Sequence, residues 1–245
     1  HELRSRIRIG YVVSDVSRGN MQNSSERIYP IIVILALGLM SAQPSRALAE
    51  DIIFQGWTHQ KFGVFGGNNW RQSGWKLSVV SDRGVSLLWR PLPEKSWQAT
   101  KASWSWNVGA SVPPSDLSQR GGDDRNLAVY FIFAPQDLAA RARDLGIRKL
   151  LVNPEIRVLM YVWGGSHDRN TVVGSPYLGA RGKTIVLRPA STGQHNETID
   201  LRSDLDRVYG NRDLMLIGLA VSADSDDTDT RIEAGISNLH LSGYP

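Results

Sequence analysis

The chain has no cysteine in its 245 residues. Disulfides and thiol chemistry are therefore closed to it, and its stability must come from packing. It also has no apolar run of the roughly 20 residues that a membrane helix needs. Histidine is scarce, at five residues, and none of them shows the H-x-x-x-H spacing of a metal site. No G-x-S-x-G elbow is present. Gly121-Gly122 and Gly164-Gly165 lack the strand–turn–helix setting of a phosphate loop. No catalytic motif therefore fixes a reaction.

Net charge is low as well. Residues 1–49 hold six arginines and three acids, so the 28 basic and 24 acidic residues of the whole chain fall to 22 against 21 in the remainder. A balance this close to neutral gives no electrostatic case for nucleic acid.

What is present begins with a leader. From Met21 a short polar segment carrying Arg27 runs into Ile31-Ile-Val-Ile-Leu-Ala-Leu-Gly-Leu-Met40, and small residues end it at Ala47-Leu48-Ala49. This is the three-part layout of a secretory signal peptide. Residues 21–49 thus read as that peptide, and 1–20 as an upstream extension with no folding role. Residues 50–245 read as a single β-sandwich domain, exported to the periplasm or beyond, with no membrane span after cleavage. An uncleaved anchor is the alternative, which the small residues at the cleavage position disfavour.

In the mature part, Tyr161 and Trp163 lie two apart in Leu159-Met-Tyr-Val-Trp-Gly-Gly165. On a strand they share one face, while Met160 and Val162 share the other. The glycines that follow permit a turn or a close approach. Ala102, Trp104, Trp106 and Val108 alternate in the same way. Leu127–Phe133 and Leu214–Val221 are apolar on both faces and predict fully buried strands. Trp75–Ser81 and Val85–Arg90, joined by Asp82-Arg83-Gly84, predict a hairpin. A helix is expected over Asp137–Leu151, interrupted at Gly146, and a second over Ser203–Gly210, capped by Ser203 and closed by Gly210. Ile232, Ala234 and Ile236 alternate before the phase slips to Leu239 and Leu241, which predicts a bulge near Ser237-Asn238. About ten strands and two short helices make the chain all-β, a jelly-roll or galactose-binding-like β-sandwich with one or two inserted helices.

The succession Trp104-Ser-Trp106, Gly122-Asp-Asp124 leading into Val129-Tyr-Phe131, Tyr161-Val-Trp163-Gly164, Ser175-Pro-Tyr177, Asp204 to Tyr209-Gly210, and Asp224-Ser-Asp226-Asp227-Thr228 resembles one bacterial family, domain of unknown function 3047. The resemblance covers roughly residues 52–242. It implies an exported β-sandwich with no settled activity. The ending Glu233–Leu241 is similar to the last strand of galactose-binding-like jelly rolls.

Two constellations carry candidate chemistry. Trp104, Trp106, Tyr161 and Trp163, with Tyr177, are candidates for an aromatic platform. Sugars stack their flat C–H faces on such rings, and their hydroxyls need polar partners at the edge. Asp124 is the first such partner, and Asn126, Asn107 and His167 are further candidates. The alternative is that the rings are core, packed between sheets. Asp224, Asp226, Asp227 and Asp229 crowd hard oxygens into six residues, which suits calcium. Because the EF-hand template fails at Asp229 and Gly235, the alternative is a solvated acidic hairpin loop. Asp224, Asp226 and Asp227 are the metal candidates.

A glycosidase needs two facing carboxylates, and Asp124 with Glu155 or Glu197 would have to meet through folding alone. The expectation is therefore a non-catalytic domain that binds a glycan or another envelope ligand. A structural or partner-binding protein ranks next, and a polysaccharide hydrolase last.

Overall fold

Both kinds of apolar pattern become strands, and the kind of pattern decides where each strand lies. A computed structural model describes residues 50–62, 67–142, 145–211 and 213–243. The extension 1–20 and the signal peptide read at 21–49 lie outside the described residues. In chain order the strands are β1 (Glu50–Asp51), β2 (Thr58–Lys61), β3 (Asn69–Ser73), β4 (Lys76–Asp82), β5 (Val85–Pro91), β6 (Lys101–Ala110) and β7 (Arg125–Ala134). They continue with β8 (Arg157–Gly164), β9 (Val172–Ser175), β10 (Gly179–Arg188), β11 (Gly193–Asp200), β12 (Met215–Asp224) and β13 (Arg231–Ser242). The helices are α1 (Gln136–Ala142), α2 (Ile147–Val152) and α3 (Leu201–Tyr209).

One sheet runs β11-β6-β13-β4-β3, with β1 added on β13, and the other runs β2-β5-β12-β7-β8-β10-β9. Among the described strands only β8 and β10 pair in parallel. The sheets meet through aromatic side chains. Trp104 of β6 lies 6.2 Å from Phe131 of β7 and 6.1 Å from Tyr161 of β8, and Trp106 lies 5.4 Å from Trp163, ring centre to ring centre. This is the inner layer of an all-β, jelly-roll-type sandwich, as the strand count and turn signals indicate.

The uniformly apolar strands β7, β8 and β12 are buried on both faces. Part of their outer cover is α1, which packs on β7 and β12 and buries Leu138, Ala139 and Ala142. The helical stretch expected over 137–151 is two helices, and Gly146, in an extended conformation, is the N-cap of α2. The break lets α2 turn Ile147 and Leu150 inward independently of α1. Among the described residues no helix is long and apolar enough to cross a membrane.

Three local expectations need correction. Strands β4 and β5 do not form a hairpin. They belong to different sheets, β4 pairing with β3 and β13 and β5 with β2 and β12. Polar contacts at the corner explain the crossing. The buried Ser81 Oγ lies 2.6 Å from Asn68 Oδ1 and 2.8 Å from both Gly84 O and Ser225 Oγ. Asn68 Nδ2 then donates to Ala223 O at 2.7 Å, tying the corner to β12. The acidic stretch after β12 is likewise a crossing between sheets. The two crossings are zipped together, Arg83 N donating to Thr230 O and Ser225 N to Gly84 O. Finally, the cap of α3 is Asp200, which accepts the Ser203 N–H at 2.8 Å. Gly210, at φ 62°, closes that helix as expected. The phase slip in β13 is also real, with the register shifting between Ser237 and His240 around Asn238 at φ 53°.

A candidate binding cleft on the outer face of the larger sheet

Strand period decides which side chains face the site. On β8, Tyr161 and Trp163 turn inward, so Met160 turns outward. Register then aligns Tyr130, Met160 and Thr184 across β7, β8 and β10. It also pairs Ser222 of β12 with Leu87 of β5. These residues line a cleft of about 400 Å³ on the outer face, whose lining also includes Val85, Leu117, Leu151 and Leu178. Two aromatic rings lie at its mouth, Phe62 at 48% and Tyr177 at 57% exposure.

One end of the cleft is polar, and Gly164 and Gly165 shape it. A Cβ on Gly164 would fall 2.7 Å from Arg125 Cα, and one on Gly165 would fall 2.6 Å from Leu117. The close approach that the sequence suggests beyond the rings is therefore made by Arg125 and Leu117. This seats Arg125 at the start of β7. Its Nη1 donates to Asp123 O at 2.7 Å and Asp123 Oδ2 at 3.0 Å, and lies 3.2 Å from Asp224 Oδ2. Its Nη2 donates to Tyr130 Oη at 3.1 Å, which is 3.0 Å from Ser222 Oγ. Tyr177 Oη donates to Asp123 Oδ1 at 3.1 Å, and the Arg120 guanidinium lies 5.3 Å from the Tyr177 ring centre.

The charges are unevenly placed. Burial opposes the Arg125 cation, but Tyr130, Asp224 and Asp123 outweigh it and raise its pKa. Burial pushes the Asp224 carboxyl well above the usual carboxylate range; Arg125 pulls it down, and Asp226 and Asp124 push it up again. Asp227 rises too, through burial and then through Asp124 and Asp226. Burial, then Asp123, takes the Tyr177 phenol to about 12. The ring is therefore a neutral hydrogen-bond donor at physiological pH.

Of the residues the sequence suggests, Tyr177, Asp224, Asp226 and Asp227 line this cleft. Asp124 is fully buried behind it, accepting the N–H of Thr228 at 2.8 Å and of Asp227 at 3.4 Å, and the Thr228 hydroxyl. The platform of Trp104, Trp106, Tyr161 and Trp163 does not form. All four rings are at most 2% exposed, between the sheets. Facing strands leave no groove there, and the rings fill the interior against one another. Tyr161 Oη reaches out of the core to donate to Asp204 Oδ2 at 2.8 Å, and Trp163 Nε1 donates to Ser191 Oγ at 3.1 Å. Asn126 is buried in backbone contacts, Asn107 is exposed on β6, and His167 lies 3.4 Å from Asp116. Glu197 is held by Arg169 and Arg188, and Glu155 is exposed after α2, so neither faces Asp124 across the cleft.

Sequence reasoning missed Asp123, Arg125, Tyr130, Thr184 and Ser222. One signal was available: Arg125 and Tyr130 in β7, and Ser222 and Asp224 in β12, are polar groups in strands that are otherwise apolar on both faces; such groups need partners, and partners imply a polar site.

No curated protein matches the chain. Two solved structures are similar to it in part. The xyloglucanase domain of NopAA, a type three effector from Sinorhizobium fredii, solved with cellobiose, is 12% identical, covers 76% of this chain and 93% of its own, and has a TM-score of 0.44. A loop-swap mutant of Xyn11A from Necallimastix patriciarum is 13% identical, covers 80% of this chain and 100% of its own, and has a TM-score of 0.38. The profile of the family described as protein of unknown function (DUF3047) matches residues 55–240, and the chain belongs to that family.

Proposed function

We propose that this protein binds a glycan, or an envelope ligand of similar chemistry, in the outer-face cleft and does not cleave it. The observation that carries this reading is the lining of the cleft: an apolar floor, open aromatic rings at the mouth, and hydrogen-bonding groups gathered at one end. A sugar ring needs those three things at once, since its C–H face is weakly apolar and its edge is polar. Tyr177 offers the stacking face. The leader read at 21–49 supports export, with binding in the periplasm or outside the cell.

Hydrolysis fits less well. Two carboxyl groups must flank the scissile bond from opposite sides. Asp123 is committed through both oxygens, to Arg125 and to Tyr177. Asp224, Asp226 and Asp227 come from one short segment and so stand on one side of the cleft.

The test is calorimetric titration of the protein with neutral envelope and plant oligosaccharides. Saturable binding is expected for the wild type. Tyr177→Ala should weaken it about tenfold or more, a loss of about 1.4 kcal/mol, with an unchanged melting temperature. Tyr177→Phe keeps the ring and should lose much less. Equal affinity in Tyr177→Ala would remove the cleft mouth from the binding site.

A further inference from the structure

The acidic segment after β12 meets a partner that sequence spacing does not show. Asp124, about a hundred positions earlier, brings one carboxylate oxygen to within 4.8 Å of one from each of Asp226 and Asp227. Three oxygens spread evenly around one calcium at 2.3–2.6 Å lie about 4.0–4.5 Å apart, so a shift of a few tenths of an ångström at the exposed Asp226 and Asp227 lets a single ion reach all three. Asp124 is already oriented, because the Thr228 N–H and hydroxyl hold its carboxylate in place. Among the described residues none of the three forms an ion pair. Arg125 is spent on Asp123 and Asp224.

A second observation is independent of that cluster. Asp224, 6% exposed, is paired through Oδ2 only, and its buried Oδ1 has no hydrogen-bond partner. Its carboxyl lies against that of Asp226. Two ionised carboxylates accept and do not donate, so while both carry charge this contact satisfies neither of them, and a buried orphan acceptor is costly. A cation between them removes the cost.

We propose that Asp124, Asp226 and Asp227 bind a divalent cation of the calcium type, whose charge also offsets that of the Asp224 carboxyl next to Asp226. The ligands are all hard oxygens, with no histidine or cysteine among them, which disfavours zinc. They come from two separate segments and include exposed side chains, so waters complete the shell. Calcium accepts this irregular geometry, whereas magnesium demands a near-ideal octahedron. The site does not depend on whether the cleft takes a glycan.

The experiment is calorimetric titration and thermal unfolding of the chelator-treated protein, with calcium chloride and, separately, magnesium chloride. Calcium should bind at one site per chain, with Kd on the order of 10⁻⁴–10⁻³ M as in extracellular modules. At about ten times Kd it should raise the melting temperature by about 3–6 °C. Asp226→Asn and Asp227→Asn replace exposed side chains and should fold, as their melting in chelator will show. Each should weaken binding by about tenfold or more. Asp229→Asn is the control, since Asp229 lies in the same segment but outside the cluster, at φ 51°, which asparagine tolerates. It should retain the calcium shift. Absence of both heat and shift with calcium would overturn the proposal. So would an equal loss in Asp229→Asn and Asp226→Asn, which would mean charge density without a site.

Discussion

Replacing Trp163 by alanine is expected to lower the unfolding free energy by about 3–5 kcal/mol. The side chain is fully buried, its ring centre lies 5.4 Å from that of Trp106 and 5.0 Å from that of His195, and its Nε1–H donates to Ser191. The variant would leave an indole-sized void between two sheets whose strands are fixed by their ladders and cannot close on it. A domain has only about 5–15 kcal/mol in all, so a loss of this size takes a large share of it. Urea unfolding should show a much lower midpoint at a similar slope. Trp163→Phe should cost much less, since it keeps most of the packing. Any loss of ligand binding in Trp163→Ala would therefore report unfolding and not a lost contact. A midpoint near that of the wild type would mean that this ring is not the core residue its burial indicates.

Arg125→Ala should be as damaging, for an electrostatic reason. Arg125 and Asp224 are buried side chains at 12% and 9% exposure, and Asp123 is at 5%. The guanidinium holds both carboxylates and the Tyr130 hydroxyl at once. Removing it leaves two buried carboxyl groups without their cation, to be held as anions or driven to take up a proton, and breaking a buried pair in this way costs about 3–5 kcal/mol. The sign of the second change makes this specific. In an Arg125→Met background, where methionine refills the space, adding Asp224→Asn removes a buried carboxyl that has lost its cation, so it should recover part of the loss, a coupling of about 0.5–3 kcal/mol. Thermal or urea unfolding of the four members of the cycle measures it. Additive losses would show that Arg125 and Asp224 act independently, against the 3.2 Å contact between them.

Those two variants bear on opposite faces of one sheet, and the sequence announces the two faces unequally. Periodicity revealed Trp104, Trp106, Tyr161 and Trp163 as a set because each pair lies on one strand face, but it cannot say whether that face meets another sheet or water. The core alternative carried the same pattern and is what forms. The same limit applies to Asp82-Arg83-Gly84. A tight turn between two alternating runs looks alike whether the runs pair or part, and here a buried polar corner around Ser81, Asn68 and Ser225 parts them. The bulge at Asn238 was legible because a phase slip is written in the apolar positions themselves. The cleft was only half legible. Asp224, Asp226 and Asp227 stand out as a local cluster and Tyr177 as a ring beside glycine and proline. Asp124 and Arg125 reach them through strand order, which the sequence does not disclose.

The central claim is that ligand binds on the outer face of the larger sheet. Amide hydrogen exchange with and without a saturating oligosaccharide tests it most directly. Added protection is expected in the segments around Asp123–Tyr130, Ser175–Leu178 and Ser222–Asp227, which border the cleft. Protection confined to the outer face of the smaller sheet, along β4, β6 and β13, or no change at a concentration that saturates binding, would contradict it.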